Sequence, residues 1–195
     1  GLVYLWDVDG REEKISDYFN VKDGYAKAGA CIGYGLANSG VWNELDQAKA
    51  LLEEHLESKD LTVKLGAVVG LGIAYAGTAR SEFLETLCPI VLDESLGPET
   101  AAFAALSLGL IFVSKCDEEV VNSILTSLMS RSDSELDMTV SKYFAVGLAL
   151  TYLGQQEKCE GACETLQAIE HPIGQFASIC VQACAYIGSG NVLKI

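Results

Sequence analysis

A glycine-rich octet returns at near-constant intervals along this chain: GYGLANSG at 33–40, GLGIAYAG at 70–77, SLGLIFVS at 107–114, GLALTYLG at 147–154 and VQACAYIG at 181–188. A degenerate copy, GLVYLW, stands at 1–6. The closing positions 6, 40, 77, 114, 154 and 188 are separated by 34, 37, 37, 40 and 34 residues, the period of a helical repeat. Glycine normally punctuates loops, and inside a helix it costs about 1 kcal/mol relative to alanine. Yet the flanks of GLGIAYAG, from Lys64 to Arg80, read as one continuous apolar segment. The glycines therefore need a reason beyond local structure.

Each repeat has the same plan: an apolar, small-residue segment, a break, then an amphipathic charged segment. Ala26, Gly29, Ala30, Gly33 and Ala37 recur every three or four residues, as do Gly66, Gly70 and Ala74. Such spacing puts small side chains on one helix face, where a neighbouring backbone approaches closely. Apolar character all round these segments places them inside. The second segments are one-sided. Leu45, Ala48, Leu52 and Leu56 form one face of Asn43–Glu57, with Glu44, Lys49, Glu53 and Glu57 mostly elsewhere. Val121, Ile124, Leu125 and Leu128 stripe Glu118–Ser130. Gly77-Thr78 reads as a stop and Ser81 as an N-cap.

The expected fold is all-α: an α-α solenoid of about five stacked hairpins in a right-handed curved array, with a buried inner helix and a half-exposed outer helix in each. Inner segments centre near Gly33, Gly70, Gly109, Gly147 and Ala183, and the units divide at about 1–24, 25–61, 62–98, 99–138, 139–174 and 175–195. The chain opens and closes inside apolar segments without an initial Met, as a piece of something longer does.

Thirteen basic against 27 acidic residues give a net charge of −14, which repels nucleic-acid phosphates and anionic lipid. Neither nucleic acid nor membrane is an expected partner, and the apolar runs fall short of the roughly 20 residues a membrane span needs. The seven cysteines are odd in number and mostly lie among apolar residues, as buried thiols in a reducing compartment do. Cys159, Cys163, Cys180 and Cys184 form two i, i+4 pairs where structural zinc favours CxxC knuckles, so no metal is expected. Gly70-x-Gly72 departs from the GxGxxG of dinucleotide loops, and the same GxG recurs at Gly33 and Gly35. Neither His55, on a charged helix, nor His171, in the turn-like EHPIG, has a spaced metal or triad partner, and no GxSxG is present. No cofactor and no enzymatic activity are expected.

The octets, the period near 37 and the small-residue inner segments resemble the proteasome/cyclosome repeat. With LWDVDG, ANSGVWNELDQAKALL, GLGIAYAG and CAYIGSGNVLKI, essentially all 195 residues are similar to the ubiquitin-receptor scaffolds of the proteasome regulatory-particle base. The LWDVDG and GSGNVLKI ends argue against the sister scaffold. The resemblance implies an arc of a toroid, a cytoplasmic and nuclear location, and contact with other base subunits. It also implies that the outer helices bind ubiquitin and the ubiquitin-like domains of shuttle factors. The family's acidic receptor positions fall on CDEEVVNSILTSLMSR: Glu119 matches the first, whereas Thr126 and Ser130 stand where the next two are acidic. Asn122 lies on the same stretch, and Glu82, Glu85 and Glu118 are candidates to supply compensating charge. The strip is expected to run over Ser81–Leu92, Glu118–Ser130 and Lys158–Ile169. A purely structural spacer, favoured by Thr126 and Ser130, is the competing reading.

Overall fold

The computed structural model describes residues 11–41 and 45–191, with side chains from Lys14 onward. The octet copy at 1–6, Asn43, Glu44 and the terminal residues 192–195 lie outside the described residues. Among the described residues the backbone forms α-helices and no strand, the all-α solenoid that the repeat implies. In chain order these are α1 (Arg11–Phe19), α2 (Gly24–Ala37), α3 (Gln47–Leu56), α4 (Leu61–Ala74), α5 (Glu82–Leu92), α6 (Pro98–Ile111), α7 (Glu118–Ser130), α8 (Asp133–Leu136), α9 (Lys142–Thr151), α10 (Glu160–Gln167) and α11 (Pro172–Ala185). They fall into two compact units, residues 1–76 and 77–195.

In the first unit α2 packs along α4, with α1 against α2 and α3 against α4. The seam is made of backbone. A Cβ added to Gly35 would lie 2.2 Å from the Gly70 carbonyl oxygen, and one on Gly70 would lie 2.6 Å from that of Cys31. The stripe expected on α2 is corrected here. Gly29 is exposed with nothing within 4 Å of an added Cβ, and Gly33 would meet only the tip of Ile15 at 4.0 Å. Small residues occupy more than one face of α2, and the face through Ala28, Cys31 and Gly35 is the one that meets α4. Leu45 is also corrected. It is 75% exposed in the turn before α3, ahead of Asp46 in the left-handed region, so the helical phase that buries Ala48, Leu52 and Leu56 never reaches it.

In the second unit α6, α9 and α11 form the inner row, and α5, α7 and α10 cover it. Gly109 and Gly147 repeat the close approach: their added Cβ atoms would lie 2.3 Å from the Gly147 oxygen and 2.4 Å from the Ala105 oxygen. Val121, Ile124, Leu125 and Leu128 are buried as their spacing requires. Ala183 is exposed rather than central to a buried face. α11 packs on α9 and α10 through Ile173, Gly174, Ala177, Val181 and Ala185, and Phe176, Ile179 and Ala183 point away from both.

The inner helix read from Lys64 to Arg80 ends at Ala74. Gly77 follows with φ 77°, a left-handed turn that the equivalent Ser114 also adopts at 62°. Ser114 offsets that strain by donating from Oγ to the Leu153 carbonyl at 2.7 Å, while Gln155 Nε2 donates to the Ser114 carbonyl at 2.8 Å. Ser81 begins α5 but its side chain caps nothing. These turns satisfy the last carbonyls of the next inner helix. Gly77 N donates to Leu110 O at 2.9 Å and Ala79 N to Ile111 O at 3.0 Å. Ser114 N and Cys116 N do the same to Leu150 O and Thr151 O, and Gly154 N to Cys184 O. The ends of α6, α9 and α11 are thus capped by the preceding turn. Between α7 and α9, α8 and a 3₁₀ turn at Thr139–Ser141 occupy the step where the interval lengthens to 40.

Two substitutions separate propensity from packing. Gly29→Ala is expected to stabilise by up to about 1 kcal/mol, as an exposed helical site should. Gly70→Ala is expected to destabilise by about 2 kcal/mol or more, because backbone atoms of α2 occupy the space. Urea melts of both variants check this; stabilisation by Gly70→Ala contradicts the seam.

Candidate functional site

Asp117 starts α7 by accepting at Oδ1 from Glu119 N (3.1 Å) and Val120 N (3.2 Å), and Glu118 and Glu119 then complement the positive helix end. The buried stripe fixes the rotation of α7. It leaves Glu118, Glu119, Asn122, Thr126, Met129 and Ser130 on the outside at three- and four-residue steps. In α5, Phe83, Leu87, Cys88 and Val91 are buried, and Glu85, Pro89 and Leu92 are exposed. Pro89 cannot donate to the Glu85 carbonyl, so α5 lacks that i to i−4 bond.

α5 and α7 lie side by side and run in the same direction. Cys88 lies near Ser123 midway along, and the Arg131 guanidinium donates to the Asp93 carbonyl (3.3 Å) at the C-terminal ends. This register gathers Glu85, Glu118 and Glu119 at one end of a common outer face and Leu92 and Met129 at the other. Met129, at 62% exposure, has no helical reason to be outside. Glu85, Glu118 and Glu119 take part in none of the described ion pairs. Glu82 differs from the free carboxylate expected of it: its Oε1 is paired with Arg80.

Arg131, which the pattern alone does not single out, clamps the C-terminal end of this face. Its side chain is 1% exposed. Nε donates to Ser127 Oγ (3.2 Å), Nη1 to Glu135 Oε1 (3.1 Å), and the guanidinium lies over the Phe144 ring at 5.6 Å. Glu135 also accepts from Ser132 Oγ and N, and these bonds hold its carboxyl below the usual range, with Arg131 assisting. The sequence signal was an arginine immediately before a Ser-x-x-Glu capping box. The third stretch expected in the strip, Lys158–Ile169, resolves into a 3₁₀ turn at Gln156–Cys159 and α10. α10 touches α7 only at its margin, because α8 and its turn widen the step, so the face is a two-helix one.

Ser178 and His171 line an open groove of about 630 Å³ beside α11, and Asp137 lies 3.2 Å from His171 Nε2. His171 Nδ1, however, accepts from Ile173 N at 3.1 Å as the cap of α11, which leaves neither ring nitrogen to activate a serine. Among the described residues no three His, Cys, Asp or Glu side chains come together to hold a metal ion, and no helix is long and apolar enough to cross a membrane. Burial pushes the Cys31, Cys88 and Cys159 thiols up to about 11, which keeps them protonated and poorly nucleophilic.

No protein-family model matches the chain. Over all 195 residues it is 38% identical to 26S proteasome non-ATPase regulatory subunit 2 of Dictyostelium discoideum. It is 45% identical to 26S proteasome regulatory subunit rpn1 of Schizosaccharomyces pombe and 40% to 26S proteasome non-ATPase regulatory subunit 2 homolog A of Arabidopsis thaliana. The chain spans 22% of the length of each.

The buried thiols give a signed pH dependence. A thiol raised from 9.0 to about 11 stays neutral in the fold after the unfolded chain has begun to ionise. Stability is therefore expected to hold up to about pH 9 and to fall as pH climbs towards about 11. Cys31→Ala should make thermal melts across that window shallower in pH; an unchanged slope contradicts the burial argument.

Proposed function

Because the chain is an Rpn1-like segment, we propose that it is a non-catalytic scaffold of the proteasome regulatory particle whose α5–α7 face docks ubiquitin and the ubiquitin-like domains of shuttle factors. The observation that carries this reading is that one two-helix surface exposes Leu92 and Met129 at one end and Glu85, Glu118 and Glu119 at the other. An apolar patch rimmed by basic residues, as on ubiquitin, complements that arrangement. Met129 and Leu92 are the anchors and the glutamates the steering rim. Asn122 and Thr126 lie between the two ends and Ser130 lies next to Met129, and all three provide small polar contacts. With Thr126 and Ser130 uncharged, the rim carries fewer acids than the resemblance implies, Glu82 is held by Arg80 rather than free to compensate, and affinity rests more on the apolar end. The same proposal places the segment beside other base subunits, in cytoplasm and nucleus, with no cofactor.

The neutral middle of the face also supports a second reading, a structural spacer that binds nothing there. Chemical-shift titration of the labelled chain with ubiquitin and with a shuttle ubiquitin-like domain separates the two. The docking reading expects shifts clustered on α5 and α7 and affinity on the order of micromolar to submillimolar. Met129→Ser should weaken binding by about tenfold, the loss typical of an anchor. Reversing Glu118 and Glu119 to lysine should weaken binding and lower its salt dependence, while removing the acids that complement the start of α7 lowers stability by about 1 kcal/mol per charge or less. No shift changes at about millimolar partner would leave the spacer reading.

A further inference from the structure

Against a net charge of −14, one pattern of basic residues repeats: Lys22-Asp23-Gly24-Tyr25-Ala26-Lys27 and, one 37-residue period later, Lys59-Asp60-Leu61-Thr62-Val63-Lys64. Each copy spans the start of an inner helix of the first unit, α2 and α4. Asp23 Oδ1 accepts from Tyr25 N at 3.0 Å and Asp60 Oδ1 from Thr62 N at 2.9 Å, so each aspartate is folded back as a cap. The two starts are adjacent. Asp60 Oδ2 sits over Gly24, 2.1 Å from where a Cβ would be, and Ala28 meets Gly66 one turn further on. The helices therefore run parallel and in register, and all four lysines collect at one end of the pair.

This placement runs against local stability. Cations at a helix N-terminus oppose the macrodipole, and four like charges oppose one another. The starts of α5, α6 and α7 carry Glu82 and Glu85, Glu99, and Glu118 and Glu119 in their first turns, whereas α2 and α4, like α3, α9 and α11, have none there and only the capping Asp23 and Asp60 offset the four lysines. None of the four lysines enters a described ion pair. Lys22 and Lys59 are exposed, and so are two large side chains between the lysines, Tyr25 at 79% and Leu61. Four lysines against two capping aspartates leave this end net positive in a chain of net charge −14, with Tyr25 and Leu61 exposed between them.

We propose that this end of the α2–α4 pair docks a short acidic segment of another protein. Its carboxylates pair with Lys22, Lys27, Lys59 and Lys64, and an apolar side chain of the segment rests on Tyr25 and Leu61. A peptide fits better than a nucleic acid because the positive zone is small. A long polyanion would run onto the acidic remainder of the surface, whereas a short segment stays within the lysines. The site shares no residue with the α5–α7 face, so it stands or falls independently of ubiquitin docking.

The test is fluorescence polarisation of a labelled peptide, about ten residues of glutamate and aspartate around one phenylalanine, against the 195-residue chain at low salt. Binding is expected at tens to hundreds of micromolar, falling by about tenfold between roughly 0.05 and 0.5 M salt. Lys22→Glu with Lys59→Glu should abolish it. The milder Lys22→Gln with Lys59→Gln, which leaves the fold least disturbed, should weaken it by about tenfold, and Tyr25→Ala by about fivefold. The Glu118, Glu119 reversal should leave it unchanged. Absence of binding at about millimolar chain, binding that survives both lysine pairs, or tighter binding of a single-stranded oligonucleotide of equal charge would each overturn the proposal.

Discussion

Backbone touching backbone between neighbouring inner helices is the constraint on which the rest depends. Where Gly35 faces Gly70, and Gly109 faces Gly147, no atom of either side chain separates the helices, and even a methyl group has no room. Glycine weakens a helix by itself, so these positions are stable only within the packed row. The close approach brings the turn after one inner helix within hydrogen-bonding reach of the next helix end, where Ser114 and Cys116 donate to Leu150 and Thr151. That ladder in turn fixes the register of the outer helices. The side-by-side α5 and α7, with their acidic and apolar ends aligned, follow from the spacing of the inner row.

Much of this was legible in sequence because repetition amplifies weak signals. One GxG means little, but five octets at a steady interval define an inner helix, its closing turn and the covering helix. The stripe Val121, Ile124, Leu125, Leu128 read correctly because every member lies inside one helix and on one face. Leu45 failed because periodicity was extended past the helix start, and Gly29 because small residues carry no label saying which of two faces a neighbour uses. Ala183 failed for a related reason. Its octet matches the others, but the neighbours that α11 packs against lie on a different side.

The surface was less legible than the core. Charge and exposure can be guessed from a helical wheel, but pairing across turns cannot. Glu82 is held by Arg80, and Arg131 reaches back to Asp93 across 38 positions in sequence. Met129 was not a candidate because a lone methionine in an amphipathic helix is usually core. Only the observed rotation of α7 turns it outward beside Leu92. The lysine pair patterns at 22–27 and 59–64 were visible as letters, but their convergence needed the Gly24 contact that sets α2 and α4 side by side.

Hydrogen exchange of wild-type chain and Gly147→Ala, compared amide by amide, tests most directly whether backbone contact in the inner row holds the stack together. Ser114 N and Cys116 N sit in a turn, where isolated loops exchange fast, yet they bond to the helix that contains Gly147. If the seam governs the stack, both amides are protected in wild type to the level of the α6 and α9 core, and they lose that protection together when the methyl group forces the helices apart. Fast exchange of Ser114 and Cys116 in wild type, or protection unchanged by Gly147→Ala, would show that the repeats are held by side-chain packing alone.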